Sequence, residues 1–150
     1  MGSRSSPKSS FEIAALRTIT IEMNALDALK SRINRAFDSA CKLILQTEGK
    51  IILTGIGKSG HVANKISATL ASTGTPAFFV HPAEALHGDM GMITKSDCVV
   101  ALSNSGSTAE VLSMLPILKR LGCPLISITG KDKSPLAINS DVHLDASVDI

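Results

Sequence analysis

The chain has no tryptophan and no tyrosine, and its aromatic content is four phenylalanines in 150 residues. That excludes the stacking platforms on which single-strand nucleic-acid binders hold bases. Excess charge of one sign is also missing: 15 basic and 13 acidic residues leave a net charge of +2. No broad face for nucleic acid is therefore present. No apolar run approaches the length of a membrane span. The three cysteines, Cys41, Cys98 and Cys123, fit no metal-ligand spacing, and an odd number closes no disulfide framework. Each lies in or beside an apolar stretch and reads as a buried thiol. Met1-Gly2-Ser3-Arg4-Ser5-Ser6 fits the loose myristoylation pattern but lacks the hydrophobic core of a signal peptide. Residues 1–10 read as a disordered polar leader, and the expected compartment is the cytosol.

What is present is enough for one core. Hydrophobic residues make up 44% and charged residues 19%, a balance that folds at this length without disulfides. From Phe11 to about Glu48, apolar residues recur at helical spacing (Ile13, Leu16, Met23, Leu26, Leu29, Ile33, Phe37, Cys41, Ile44). One long helix or two is expected there, with Gly49 as the C-terminal stop. Ile19, Ile21 and Met23 fall on differing sides of this arm, more apolar surface than one sheet face can cover, so a homo-oligomer (dimer or tetramer) is expected. After Gly49, five short apolar runs alternate with helix-like stretches. The runs are Ile51–Leu53, Ala77–Val80, Cys98–Leu102, Leu125–Ile128 and Val142–Leu144. The helix-like stretches lie near 60–72, 84–87, 108–121 and 135–139. Strands that are apolar throughout belong to parallel sheets covered on both faces, so the expected class is α/β, doubly wound. Ligands in such sheets sit beyond the carboxyl ends of strands, which nominates the loops 54–60, 81–91, 103–108 and 129–134.

The first of these, Thr54-Gly55-Ile56-Gly57-Lys58-Ser59-Gly60, satisfies G-x-G-x-x-G literally. A dinucleotide site would want an acid after the second strand, where the chain has Val80-His81-Pro82. A P-loop would want a glycine where Ile52 stands. What remains is a tight turn that brings a lysine and a serine to a helix start, suited to a compact anion such as a phosphate monoester. Ser103-Asn104-Ser105-Gly106-Ser107-Thr108 again follows a strand and opens a helix. One cap needs one hydroxyl, so a run this dense suggests a phosphate-holding loop. Glu110, in the following turn, either complements the helix dipole or serves as general acid or base. His81 and His87 share a short loop with Glu84 and Asp89, where they could hold a metal, contact sugar hydroxyls or assist ring opening. His61 and His143, in a helix and a strand, read as structural.

With these loops in this order, the chain resembles the sugar isomerase (SIS) domain family, and within it the arabinose-5-phosphate isomerases. The resemblance runs from about residue 12 to the end. Its most specific stretches are Gly55–His61, Ala71–Pro76, His81–Gly91 and Ser103–Gly106. It implies a five-stranded parallel sheet flanked by helices, with the N-terminal helix making oligomer contacts. It implies reversible conversion of ribulose 5-phosphate to arabinose 5-phosphate, without an organic cofactor, for lipopolysaccharide or capsule synthesis. Lys58 and Glu110 match positions tied to catalysis; Gly74, Thr75, His81 and His87 match substrate contacts. His81 also matches a position where zinc binds as an inhibitor, while Ser147, Val148 and Asp149 match a stretch lining the substrate approach. Family members continue beyond this length with a Glu-Ala-Cys-Pro segment, a catalytic histidine and often paired CBS modules, so residues 11–150 read as a truncated SIS domain. The alternative reading is a regulatory SIS domain that binds a sugar phosphate without turnover. Membrane and nucleic-acid partners are not expected in either case.

Overall fold

A computed structural model describes residues 8–148. The described residues divide into two compact units, one of residues 8–32 with Val148 and one of residues 33–147. In the first, α1 spans Ser10–Leu29. It opens on a capping box: the Ser9 hydroxyl accepts from the Glu12 N–H, and the Glu12 carboxylate accepts from the Ser9 N–H. No residue of α1 is buried, and Phe11, at 86% exposure, is the most open of its large apolar side chains. A short 3₁₀ turn, Lys30–Arg32, ends the arm, so the periodicity that reached Glu48 belongs to two helices.

The second unit holds α2 (Arg35–Gln46), β1 (Ile51–Gly55), α3 (Lys58–Ser72), β2 (Ala77–Val80) and α4 (Pro82–Leu86). A 3₁₀ turn at Asp89–Met92 leads to β3 (Cys98–Leu102), α5 (Ala109–Leu121), β4 (Leu125–Thr129), α6 (Pro135–Ile138) and β5 (Val142–Asp145). All five strands pair in parallel in the order β2-β1-β3-β4-β5. The apolar runs of β1 and β3 are buried along their whole length because helices cover both faces. One face carries Ile52, Val99, Met114 and Leu118; the other carries Ile51, Leu53, Val100 and Ile126. Burying each such side chain contributes about 1.5–3 kcal/mol, and truncating Leu53 to alanine in this packing would cost about 2–5 kcal/mol.

Gly49 is not the helix stop. Thr47 caps α2, and Gly49 instead donates its N–H to the Ser96 carbonyl. A Cβ there would run into the Asp97 carboxylate. Asp97 is the reason for that close approach. Its carboxylate is 3% exposed and accepts from the Lys50 N–H (2.7 Å), the Thr94 N–H (2.7 Å) and the Thr94 hydroxyl (3.0 Å). Burial works against its charge, but these hydrogen bonds and the Lys50 cation prevail and hold it below the usual carboxylate range. It thereby ties the amino ends of β1 and β3 together. Cys98 and Cys123 are buried, and burial pushes their thiols up to about 11 and about 12; Cys41 is only half-buried. Among the described residues no helix is long and apolar enough to cross a membrane.

Candidate functional site

Strand order decides where the site lies. From β1 the chain turns one way to β2, and β3 to β5 extend the other way, so the connections diverge between β1 and β3. A parallel sheet opens a crevice at such a point, beyond the carboxyl ends of the two strands. The β1 exit, Gly55–Gly60, and the β3 exit, Ser103–Thr108, both leave from it.

The β1 turn needs its glycines for two reasons. Gly57 has a φ of +58°, which a side chain disfavours. Gly60 sits where a Cβ would come 2.7 Å from the Gly55 carbonyl oxygen, so only glycine lets α3 start this close to the strand. Lys58 is then the first residue of α3, exposed, with Ser59 beside it. Gly57 supplies no side-chain cap, and the N–H groups of Lys58, Ser59 and Gly60 find no acceptor among the described residues.

The β3 loop uses its hydroxyls differently from the sequence expectation. Ser103, 3% exposed, shares a hydrogen bond with the Thr108 hydroxyl (2.9 Å) and accepts from the Gly106 N–H (3.1 Å). Ser105 accepts from the Ser107 N–H (3.3 Å). Three of the four hydroxyls thus shape the loop rather than standing ready for a ligand. Because Thr108 is turned to Ser103, α5 also begins without a side-chain cap. The N–H groups of Asn104, Ser105, Thr108, Ala109 and Glu110 have no acceptor among the described residues, and the Asn104 amide and Ser107 hydroxyl also stay free. The contrast with the other α-helices is sharp: α1, α2, α4 and α6 are capped by Ser9, Asn34, His81 and Ser134. The two uncapped starts are those of the longer helices leaving the crevice, where aligned dipoles and free N–H groups favour an anion.

A cleft of about 300 Å³ lies at this edge, lined by Lys58, Ser59, Val62, Leu102, Ser103, Asn104, Ile128, Thr129, Gly130 and Ala146. It unites Lys58 with Ser103 and Asn104, as their loops suggested. Thr129 and Gly130 come from the nominated 129–134 loop, but no individual residue there stood out. Ser59 is the serine the sequence set beside Lys58 at the helix start, whereas Val62 and Ala146 carry no signal in the sequence beyond position. Glu110 is exposed in the first turn of α5, on the same edge but not in the cleft wall. His81 and His87 flank α4 at the carboxyl end of β2. The His81 Nδ1 accepts from the Ala83 N–H at 3.3 Å, which leaves Nε2 as its one ligating atom, and its ring meets Phe79 edge-on. Among the described residues no three potential metal ligands gather.

Other expected positions lie elsewhere in the fold of this chain. Gly74 and Thr75 follow α3 and precede β2, which puts them at the amino edge of the sheet, opposite the crevice. Ser147 follows β5 at the carboxyl edge, its N–H on the Asp145 carboxylate (2.8 Å). Val148 groups with α1 and lines a cavity with Ile21, Ala25 and Arg32. Asp149 lies outside the described residues.

The model of the SIS domain matches residues 44–150. The arabinose 5-phosphate isomerase KdsD of Pseudomonas aeruginosa is 62% identical over 135 residues, 90% of this chain and 41% of that protein. The arabinose 5-phosphate isomerase KdsD of Escherichia coli K12 is 48% identical over 142 residues, 95% of this chain and 43% of that protein. An Escherichia coli CFT073 protein solved in complex with arabinose 5-phosphate is 42% identical, with a TM-score of 0.81, over 95% of this chain and 77% of that one. The chain thus spans about two fifths of the length of these curated relatives.

Proposed function

The chain belongs to the SIS domain family, and from that premise we propose that it binds a phosphorylated pentose and interconverts arabinose 5-phosphate and ribulose 5-phosphate. The observation that carries the reading is the pair of uncapped helix starts, α3 and α5, that follow the two strands flanking the crevice, with Lys58 at the first of them and in the cleft wall beside Ser103 and Asn104. A phosphate monoester is the anion that fits, since it takes several N–H donors at once and needs little counter-charge.

The phosphate acts as a handle, far from the reacting carbons, and lowers the entropic barrier to aligning the sugar. Reaction is redox-neutral: a base takes the proton from C2 of the aldose, an enediolate forms, a proton moves from the C2 oxygen to the C1 oxygen, and a proton returns at C1 to give the ketose. A redox cofactor has nothing to do in that sequence. Lys58 stabilises the oxyanion that develops. Glu110 is this chain's candidate base, and general-base catalysis is worth about 10²–10⁴ in rate. His81 and His87 contact hydroxyls or assist ring opening, and zinc on the free Nε2 of His81 would inhibit by occupying that contact.

The exposed apolar residues of α1 favour a homo-oligomer, dimer or tetramer. The product would feed 3-deoxy-octulosonate formation for lipopolysaccharide or capsule in the cytoplasm. Calorimetric titration with arabinose 5-phosphate, unphosphorylated arabinose and NAD, together with an isomerase assay on pentose phosphates, tests the reading. Binding confined to the phosphorylated sugars is expected, with turnover in a protein that spans the full length of the curated relatives. Binding without turnover would favour the regulatory alternative, and preference for NAD would overturn both.

A further inference from the structure

Thr129 ends β4, is 1% exposed and lines the cleft. A threonine hydroxyl has one proton to give and two lone pairs to fill. It donates to the Lys131 carbonyl oxygen (2.8 Å) and accepts from the Lys131 N–H (3.1 Å), which closes the turn 129–131 on itself. His143 Nε2, on the neighbouring strand β5, lies 2.9 Å from the same oxygen. With its proton committed to Lys131, the hydroxyl can only accept from His143. The ring must therefore carry its proton on Nε2, a tautomer assigned by the network.

What this turn supports is the β3 loop. The Gly130 N–H donates to the Asn104 carbonyl (2.9 Å), and a Cβ on Gly130 would stand 2.7 Å from the Asn104 side-chain oxygen. Six residues on, the Leu136 N–H donates to the Gly106 carbonyl (3.0 Å). The 129–136 segment is thus the wall against which Ser103–Thr108 is set, and the Ala146 N–H on the Thr129 carbonyl (2.8 Å) fixes its near end.

We propose that His143 is a positioning residue for the anion-binding loops. Its Nε2–H holds the Thr129 hydroxyl, the hydroxyl holds the 129–131 turn, and the turn places Asn104 and the free N–H groups beside it. His143 does not line the cleft and acts only through Thr129. The effect on ligand affinity rests on the sugar-phosphate reading given above; the effect on loop geometry does not.

The test uses the chain with His143→Phe, which keeps an aromatic ring without the donor, His143→Gln, which restores an N–H, and Thr129→Val. In ligand-free protein, two-bond ¹H–¹⁵N spectra should show His143 as the Nε2–H form. Hydrogen exchange should accelerate at Gly130 and Lys131 in His143→Phe while β1 and β3 keep their protection. Arabinose 5-phosphate should bind about tenfold more weakly to that variant, the scale of one lost hydrogen bond. His143→Gln should recover most of both effects, and Thr129→Val combined with His143→Phe should be no weaker than Thr129→Val alone. An Nδ1–H tautomer, unchanged exchange in the Phe variant, or a Gln variant that behaves like Phe would each overturn the proposal. If exchange follows the expectation while unmodified protein fails to bind arabinose 5-phosphate, the positioning role stands and the sugar-phosphate reading falls.

Discussion

Replacing Gly106 by alanine attacks the crevice at its tightest point. The backbone there has a φ of +61°, where an L side chain costs about 1–2 kcal/mol. The added Cβ collides with Oγ and Cβ of Ser134 and comes 3.3 Å from Cγ2 of Thr129. Ser134 cannot swing aside freely: it is 5% exposed and its hydroxyl caps α6 by accepting from the Ala137 N–H. Making room adds about 1–3 kcal/mol of overpacking. The sum, about 2–5 kcal/mol, is a large part of the stability of an ordinary domain of this size. Urea unfolding at neutral pH should therefore show a lower midpoint at unchanged slope. Gly106→Ala combined with Ser134→Gly relieves the collision but keeps the backbone strain and loses the α6 cap, so it should recover only part of the loss. Below the unfolding transition, Gly106→Ala should also weaken binding of arabinose 5-phosphate, because Asn104, Ser105 and Thr108 shift with it. A Gly106→Ala protein within about 0.5 kcal/mol of the original would refute the packing argument, since only a surface position tolerates change that well.

Asp97→Asn should destabilise the fold by about 2–3 kcal/mol at neutral pH, because an amide cannot accept from all three donors. The folded carboxyl titrates below its unfolded value of 3.8, so its contribution is full above that pH and is lost as pH falls through the folded value. The stability gap between the two proteins should stay level from pH 5 to 8 and close in acid; a gap that widens in acid would contradict this. For the thiols, one fast-reacting group is expected with a disulfide reagent at pH 8, namely Cys41, and all three only after denaturation. Lys58→Ala should leave the melting temperature nearly unchanged while weakening sugar-phosphate affinity about 10- to 100-fold, as befits an exposed charged donor. Glu110→Gln should keep affinity and lower turnover by at least about 10²; lost affinity with normal turnover would make it a binding residue.

Local pattern carried much of this protein. Apolar runs such as Cys98–Leu102 could only be strands buried on both faces, and the structure places β3 over those same residues. The glycine spacing after β1 and the polar run after β3 marked the two loops of the crevice, because a tight turn into a helix is a local event written in a few residues. Even the placement of Gly74 and Thr75 at the amino edge was implicit in their position between a helix and the next strand. Tertiary structure decided the rest. Which two loops face each other depends on strand order, a pairing between segments some fifty residues apart that spacing does not encode. Gly49 looked like a helix stop because its partner, Asp97, lies far along the chain. The hydroxyls of Ser103 and Thr108 looked like ligand donors, yet they bond to each other, and the groups left free among the described residues are mostly backbone N–H. Whether a hydroxyl faces a ligand or its neighbour depends on the geometry of the folded loop, and residue type alone does not set it. His143, on half-buried β5, and Thr129, at the buried end of β4, became visible only when two adjacent strands brought one ring nitrogen to one oxygen.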